Sequence, residues 1–347
     1  MGAIPMSLQS AFERYLPLIE AELRQALATP PPSLAPFYGM MRYHLGWVDE
    51  GFKLIEAEGG KRLRPLLCLL VCEAAGGDPE RALPAAAAVE LVHNFSLVHD
   101  DIEDASPLRR HRPAVWKVWG VPQAINVGDG LFALAHLALQ GLAEQGVSAS
   151  RALAAFEVFD RACLALTEGQ YLDLSFEERL DVTAEEYLQM IRGKTAALFA
   201  ASAHLGALVA SDDPELIAHY HSFGENLGLA FQIVDDILGI WGQESVTGKP
   251  VADDIRQKKK SLPIIYALRQ KAKGQELGEI YSKDVLADED VRRAMAILDE
   301  VGARQYTERL ARDYHRRALA ELEATGLENE AQADLRELAA FLIERAY

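Results

Sequence analysis

Apolar residues recur along this chain at the three-to-four-residue spacing of helix faces, and Ala and Leu dominate the runs. Strict apolar–polar alternation, the signal of a half-buried strand, is weak throughout. The pattern predicts helices over 84–104, 124–144, 150–174, 184–210, 213–241 and 262–273. Pro84, Pro107, Pro122 and Pro214 mark starts or breaks, since proline lacks an N–H and is tolerated mainly in a first helical turn. Thr29 to Pro36, with four prolines, reads as a loop. Residues 275–347 read as an acidic helical segment without a legible motif, suited to packing or to contact with a second copy. No Gly/Ser-rich linker, composition shift or fixed-period repeat divides the chain. Residues 1–347 are therefore expected to form one all-α domain, a single large helical bundle.

Half of the 347 residues are hydrophobic, enough for a sizeable core, and the charged fraction of 25% is that of an ordinary soluble protein. The nearest thing to a membrane span is Thr195 to Ala210. It is Ala- and Gly-rich and contains His204, so a buried helix is expected rather than stable membrane insertion. The amino terminus lacks a basic segment followed by an apolar core, so no secretory signal is expected. Three cysteines (Cys68, Cys72 and Cys163) are too few for a disulfide framework and suit a reducing cytoplasm. Cys68 and Cys72 sit four apart in an apolar helix and read as core.

A formal charge of -17 argues against general nucleic-acid binding. It also makes the few basic clusters informative. These are Lys61-Arg62 with Arg64, Arg109-Arg110 with Arg112, Lys194, Lys249, and Lys258-Lys259-Lys260. If they converge, an acidic protein carries a local anion site.

Two acidic motifs break the apolar pattern. The first, Leu91 to Asp104, ends in His-Asp-Asp-Ile-Glu-Asp. Residues four apart on a helix share a face, so Asp100 and Asp104 stack one turn apart, while Asp101 lies about 100° round. Stacked carboxylates can clamp an oxygen-liganded cation such as magnesium. His93 falls two turns earlier on nearly the same face. Negative charge at a helix C-terminus opposes the dipole and should cost stability without a cation. A solvated acidic helix end explains the same residues without chemistry. In the second motif, Phe231-Gln232-Ile233-Val234-Asp235-Asp236, two carboxylates interrupt an apolar helix. Desolvating a carboxylate is expensive, and only Gln232 extends a polar stripe here, so function is the better reading.

The basic segments interleave with these motifs. Gly59-Gly60-Lys61-Arg62-Leu63-Arg64-Pro65 is a glycine turn opening a helix, where backbone and dipole favour an anion. Arg109-Arg110 follows the first motif closely, either as a salt-bridge cluster or as a second grip on a phosphate. Gly193-Lys194-Thr195 joins a cation to a hydroxyl, but the strand and upstream glycine of a Walker motif are missing. Lys249 to Lys260 is a charged loop.

In this order and spacing the motifs resemble the trans-isoprenyl diphosphate synthases, the family of farnesyl and geranylgeranyl diphosphate synthases. The resemblance runs from about Gly59 to Pro263. It rests on Gly-Gly-Lys-Arg-Leu-Arg-Pro, His-Asp-Asp-Ile-Glu-Asp followed by Leu-Arg-Arg, Gly-Lys-Thr, Phe-Gln-Ile-Val-Asp-Asp-Ile-Leu and the Lys249 to Lys260 loop. It implies the isoprenoid synthase fold, an all-α bundle around a central cavity, and a homodimer. It implies head-to-tail (1′-4) condensation of isopentenyl diphosphate with an allylic diphosphate, with Mg2+ as cofactor. By the same resemblance Asp100, Asp104 and Asp235 would bind the metal, and Asp101 and Asp236 would support it from outside. Lys61, Arg64, His93 and Arg110 would hold isopentenyl diphosphate. Arg109, Lys194, Thr195, Gln232, Lys249 and Lys259 would hold the allylic diphosphate, with Thr195 and Gln232 supplying oxygen dipoles.

Three positions depart from the family pattern. Gly239 stands where many members carry a third Asp, and His111 and Lys258 stand where Gly is common. The family rule on product length looks to Phe95 and Ser96. An aromatic followed by a small residue resembles short-chain synthases, with C20 expected and C15 the alternative. On an ideal helix Phe95 points about 140° away from Asp100, so neighbouring helices are candidates for the floor. A class I terpene cyclase would carry a different second motif and need no second diphosphate. A non-catalytic subunit of a heteromeric synthase would tend to lose its Asp motifs. A di-iron bundle would need a second Glu-x-x-His beside Glu90 to His93.

Overall fold

Helix takes almost every segment that the apolar spacing marks. The computed structural model describes residues 6–27, 30–55, 57, 59–243 and 251–344. Its helices are α1 (Met6–Ala26), α2 (Ala35–His44), α3 (Leu63–Ala74), α4 (Leu83–Glu103), α5 (Val115–Trp119), α6 (Val121–Glu144), α7 (Ala149–Phe176) and α8 (Ala184–Ile191). They continue as α9 (Ala197–Ala210), α10 (Pro214–Trp241), α11 (Asp253–Arg256), α12 (Leu262–Leu268), α13 (Lys271–Tyr281), α14 (Asp288–Glu300), α15 (Ala303–Ala324) and α16 (Glu330–Glu344). The one β-ribbon among the described residues pairs β1 (Leu108–Arg109) with β2 (Arg112–Pro113), antiparallel.

Three expected boundaries differ. The helix over 184–210 is interrupted by a π-helical turn, Arg192–Ala196, between α8 and α9. The helix over 262–273 stops at Leu268. Gln270 is extended, and α13 turns back so tightly that a Cβ on Gly274 would overlap the Leu268 carbonyl. The proline-rich loop is shorter than expected, because Pro32–Leu34 forms a 3-10 turn that leads straight into α2.

The chain forms two compact units, one of residues 10–160 with 202–213, the other of residues 1–9, 161–201 and 214–347. The first is built on α3 and α4. Leu66 to Val71 and Ala85 to Ala88 are fully or almost fully buried, and α6 lies along α4. Full burial of each such leucine contributes about 1.5–3 kcal/mol, and Leu67→Ala would forfeit about 2–5 kcal/mol with its cavity. Gly206 makes the close approach to α3 possible, since a Cβ there would overlap the Cys68 carbonyl.

The second unit centres on α10, with α15 against it. Tyr187, Met190, Leu229, Ile233, Leu262 and Tyr314 share one buried cluster. The run Ala184–Ala210 is long and apolar enough to cross a membrane by composition, but 67% of its most apolar window is buried inside the protein.

Candidate active site

In the first unit, α4 delivers the first acidic motif at its carboxyl end. Asp100 lies in its last turn, and Asp104 caps the helix, donating its N–H to the Asp100 carbonyl at 2.9 Å. Asp104 is exposed and Asp101 buried. Arg109, on the ribbon that follows, spans the motif. Its Nε and Nη2 donate to Asp101 Oδ1 at 2.9 and 2.6 Å, and Nη2 also reaches Asp100 Oδ2 at 3.2 Å. Burial raises the pKa of Asp101, and Arg109 opposes that rise. The other oxygen of Asp101 has no hydrogen-bond partner among the described residues.

The ribbon's tight turn sets Arg110 and His111 at φ +50° and +61°, left-handed conformations that cost a side chain about 1–2 kcal/mol. Arg110 is thereby turned inward against the glycine turn. A Cβ on Gly60, itself at φ +99°, would stand 2.8 Å from Arg110 Nη2. Burial, with Arg62 and Arg109 nearby, pushes the Arg110 guanidinium down to about 10 despite Glu90. Its Nη1 is buried without a hydrogen-bond partner among the described residues. A desolvated cation with an idle donor calls for an anion.

His93 Nε2 accepts a hydrogen bond from Arg64 Nη1 at 3.3 Å. Burial and the neighbouring Arg64, Arg110 and Arg109 drive the His93 pKa well below the ordinary value, which keeps that ring nitrogen free to accept. Lys61 lies in the same glycine turn, partly buried. Arg62, alike in sequence, has a different task. Its left-handed backbone (φ +51°) turns it into the core, where it pairs with Glu20 and Glu90, each at 2.7 Å.

The chain-length candidates lie higher on α4. The Phe95 ring packs on His99 and on Phe132 of α6, with centroids 4.8 and 5.1 Å apart, while the Ser96 hydroxyl turns back to the His93 carbonyl at 2.8 Å. Phe132 was not anticipated from sequence.

In the second unit, Thr183 and Glu186 form a reciprocal capping box that starts α8, and α8 ends in the π turn carrying Lys194 and Thr195. Such turns occur often at functional sites because they shift the register of one side chain. Two glycines fit this turn against α7: a Cβ on Gly169 would overlap the Lys194 nitrogen, and one on Gly193 would press on the Ala165 carbonyl. Lys194 Nζ donates to Asp173 of α7 at 2.5 Å, a partner that nothing in the local sequence announced.

Asp236 is 5% exposed and held by neutral donors. The Leu262 N–H reaches Oδ2 at 2.8 Å, the Tyr187 hydroxyl also donates to Oδ2, and Gln232 Nε2 reaches Oδ1 at 3.3 Å. Burial pushes this carboxyl up to about 7, against the pull of those three bonds. Gln232 Oε1 accepts the Thr195 hydroxyl at 2.8 Å. Asp235, one residue earlier, is partly exposed on α10. At Gly239, one turn after Asp235, a Cβ would overlap the carboxylate of Asp254, so no side chain fits there without moving that group.

Of the lysine run, Lys258 reaches the Lys283 carbonyl at 2.6 Å and Lys260 the Glu177 carbonyl at 3.1 Å, while Lys259 is exposed. Lys258 sits at φ +56°. Lys249 lies outside the described residues. A recess of about 450 Å³ beside α7 and α8 is lined by Thr167, Glu168, Tyr171, Leu172 and Gln189, none of them a candidate from the sequence.

Among the described residues no three His, Cys, Asp or Glu side chains converge as a metal cage. The donors are carboxylates, one or two at a time, with an idle buried oxygen on Asp101. That chemistry fits magnesium, which keeps several waters and completes its shell with substrate phosphates.

Comparison with known proteins follows the same line. The family model described as polyprenyl synthetase matches residues 46–298. The chain is 38% identical over 333 residues to the (2E,6E)-farnesyl diphosphate synthase of Mycobacterium tuberculosis, covering 94% of this chain and 90% of that protein. It is 42% identical over 309 residues to the geranylgeranyl diphosphate synthase of Saccharolobus solfataricus, covering 86% and 92%. The crystal structure of a polyprenyl synthetase from Streptomyces coelicolor A3(2) matches with a TM-score of 0.89 at 39% identity, over 97% of this chain and 99% of that one.

Proposed function

This chain belongs to the polyprenyl synthetase family, and on that premise we propose that it condenses isopentenyl diphosphate head-to-tail with an allylic diphosphate to give a short-chain all-trans prenyl diphosphate. The observation that carries the reading is the half-buried Arg110, whose buried Nη1 has no hydrogen-bond partner among the described residues and suits an anion, in a chain that keeps both carboxylate motifs. One diphosphate site would suffice for a cyclase. A separate basic set of Lys61, Arg64, His93 and Arg110 argues for a second diphosphate substrate.

In this reading Asp100, Asp104 and Asp235 would hold Mg2+. When bound, magnesium neutralises the charge that grows on the leaving diphosphate. Lys194, steadied by Asp173, adds a fixed positive charge to the same group, as do Arg109, Lys249 and Lys259. Breaking the allylic C–O bond leaves a carbocation, which Thr195 and Gln232 face with oxygen dipoles while apolar walls exclude water. Arg110, Arg64, Lys61 and neutral His93 position isopentenyl diphosphate so that its double bond attacks the cation. The proton then lost goes to the departing diphosphate, which accounts for the lack of a protein base in the candidate set.

Asp101 and Asp236 support the ligand carboxylates from outside. Phe95, backed by Phe132 and His99, limits the product to C20, with farnesyl (C15) as the alternative. The chain works as a homodimer. Leu153, Leu164 and Tyr171 are 71, 59 and 70% exposed on one face of α7, among Glu157, Asp160 and Glu168, and such large exposed apolar side chains suit burial by a second copy. Its three thiols are free and buried, which suits a cytoplasmic enzyme.

Product chromatography after incubation with dimethylallyl and isopentenyl diphosphates tests the reading. A C20 main product is expected, a C15 main product would select the alternative, and C30 or longer would refute the short-chain assignment.

A further inference from the structure

Asp236 is the hub of a hydrogen-bond chain whose polarity is fixed at one end by a residue outside every motif. In the structure Asp236 accepts at both oxygens, from the Tyr187 hydroxyl and the Leu262 N–H at Oδ2 and from Gln232 at Oδ1. Gln232 thus turns its NH2 toward Asp236 Oδ1, which leaves Oε1 on the other side of the amide. That oxygen takes the only hydroxyl proton of Thr195. What Thr195 can offer elsewhere is lone pairs. If the Gln232 amide were flipped, its NH2 would donate to Thr195, and the Thr195 proton would be turned outward instead.

The carboxylate is anchored at its other oxygen by the Tyr187 hydroxyl and the Leu262 N–H. Tyr187 is 1% exposed and packed in the core cluster with Met190, Leu229 and Ile233, which fixes where its hydroxyl points. The Leu262 N–H is set by the first turn of α12, with Pro263 beside it.

We propose that Tyr187 is a positioning residue for the condensation. Through Asp236 it holds the Gln232–Thr195 pair in the one polarity that presents an electron-rich oxygen, rather than a proton, to the developing allylic cation. This rests on the reading of Thr195 and Gln232 given above. It adds to that reading a residue 49 positions from Asp236 in sequence.

The test is a double-mutant cycle on the full-length chain with Tyr187→Phe, Thr195→Val and the double variant, reading kcat and both KM values. Tyr187→Phe is expected to lower kcat by roughly 10–100-fold, less than the loss of a direct oxyanion-type donor, with both KM values within about threefold of wild type. The double variant should be no slower than Thr195→Val alone. A residue that only supports the fold would lower kcat by the same factor in both backgrounds. Such multiplicative losses, or a Tyr187→Phe kcat within twofold of wild type, overturn the proposal. Asp236→Asn, which lets Gln232 flip, provides the same cycle should Tyr187→Phe fail to fold. If the wild-type chain makes no prenyl product at all, the function itself is wrong. If it does and the cycle is multiplicative, only the relay is.

Discussion

The two carboxylate motifs look alike in sequence and are held by opposite means. Asp100 and Asp101 stand at the end of α4 under the charge of Arg109, which is 28% exposed at its side chain. Asp236 stands near the carboxyl end of α10 but is closed off from water, and its bonds come from an amide, a hydroxyl and a backbone N–H. The first motif is an acidic helix end tied down by one guanidinium. The second is pre-organised by neutral dipoles, the arrangement that costs no reorganisation when charge appears nearby. The difference shows that the same residue type is confined in two ways, Asp101 by opposite charge and Asp236 by the shape of a buried network.

The comparison breaks most visibly if either motif is dispensable. Asp100→Ala and Asp235→Ala are each expected to lower kcat/KM by about 10³-fold or more, with the far-UV circular dichroism of wild type. Near-normal turnover in either purified variant would contradict the account.

The neutral environment of Asp236 sharpens it next. Its carboxyl is pushed up to about 7, above the ordinary value of 3.8, so the folded chain holds this proton more tightly than the unfolded one. Its contribution to stability is then fully present below about pH 4 and lost as pH rises to about 7, on the order of a few kcal/mol. Urea melts of metal-free Asp236→Asn should lack that slope. A slope equal to wild type would show that other groups set it.

The ionic grip on the first motif predicts a stability cost of its own. Arg109→Ala leaves Asp101 buried without its cation and should cost about 3 kcal/mol by chemical denaturation. A loss below 1 kcal/mol would mean that solvent already screens the pair. The smallest effect is conformational. His111→Gly removes left-handed strain but adds unfolded-state freedom, for a net gain of about 0.5 kcal/mol, seen as a slight rise in melting temperature. A fall of several degrees would show that the His111 side chain itself holds the turn.

Much of this was legible because carboxylates in an apolar helix announce themselves. Asp235 and Asp236 stood out against Ile233, Val234 and Ile237, and the helix that carries them ends where the spacing said it would. The basic set was legible as a set but not residue by residue. Arg62 and Arg64 are equivalent in composition, and only the left-handed backbone at Arg62 sends it to Glu20 and Glu90. The π turn at Arg192–Ala196 leaves no trace in hydropathy, because one extra residue in a turn changes register and not composition. Tyr187 and Asp173 meet their partners across 49 and 21 residues, beyond any local pattern. The stop at Leu268 has no signal in propensity, since Arg269 and Gln270 are themselves good helix formers, and the close approach of Gly274 to the Leu268 carbonyl shows only in the structure. The three departures became physical: His111 and Lys258 occupy positions where glycine would be unstrained, and Gly239 makes room for Asp254.

If two diphosphates react on this chain, product formation must depend on both. Purified chain is given a labelled allylic diphosphate with Mg2+, with and without isopentenyl diphosphate, and the labelled products are separated. The account predicts a longer prenyl diphosphate only when isopentenyl diphosphate and the metal are both present. Hydrocarbon released at the same rate without isopentenyl diphosphate would contradict it.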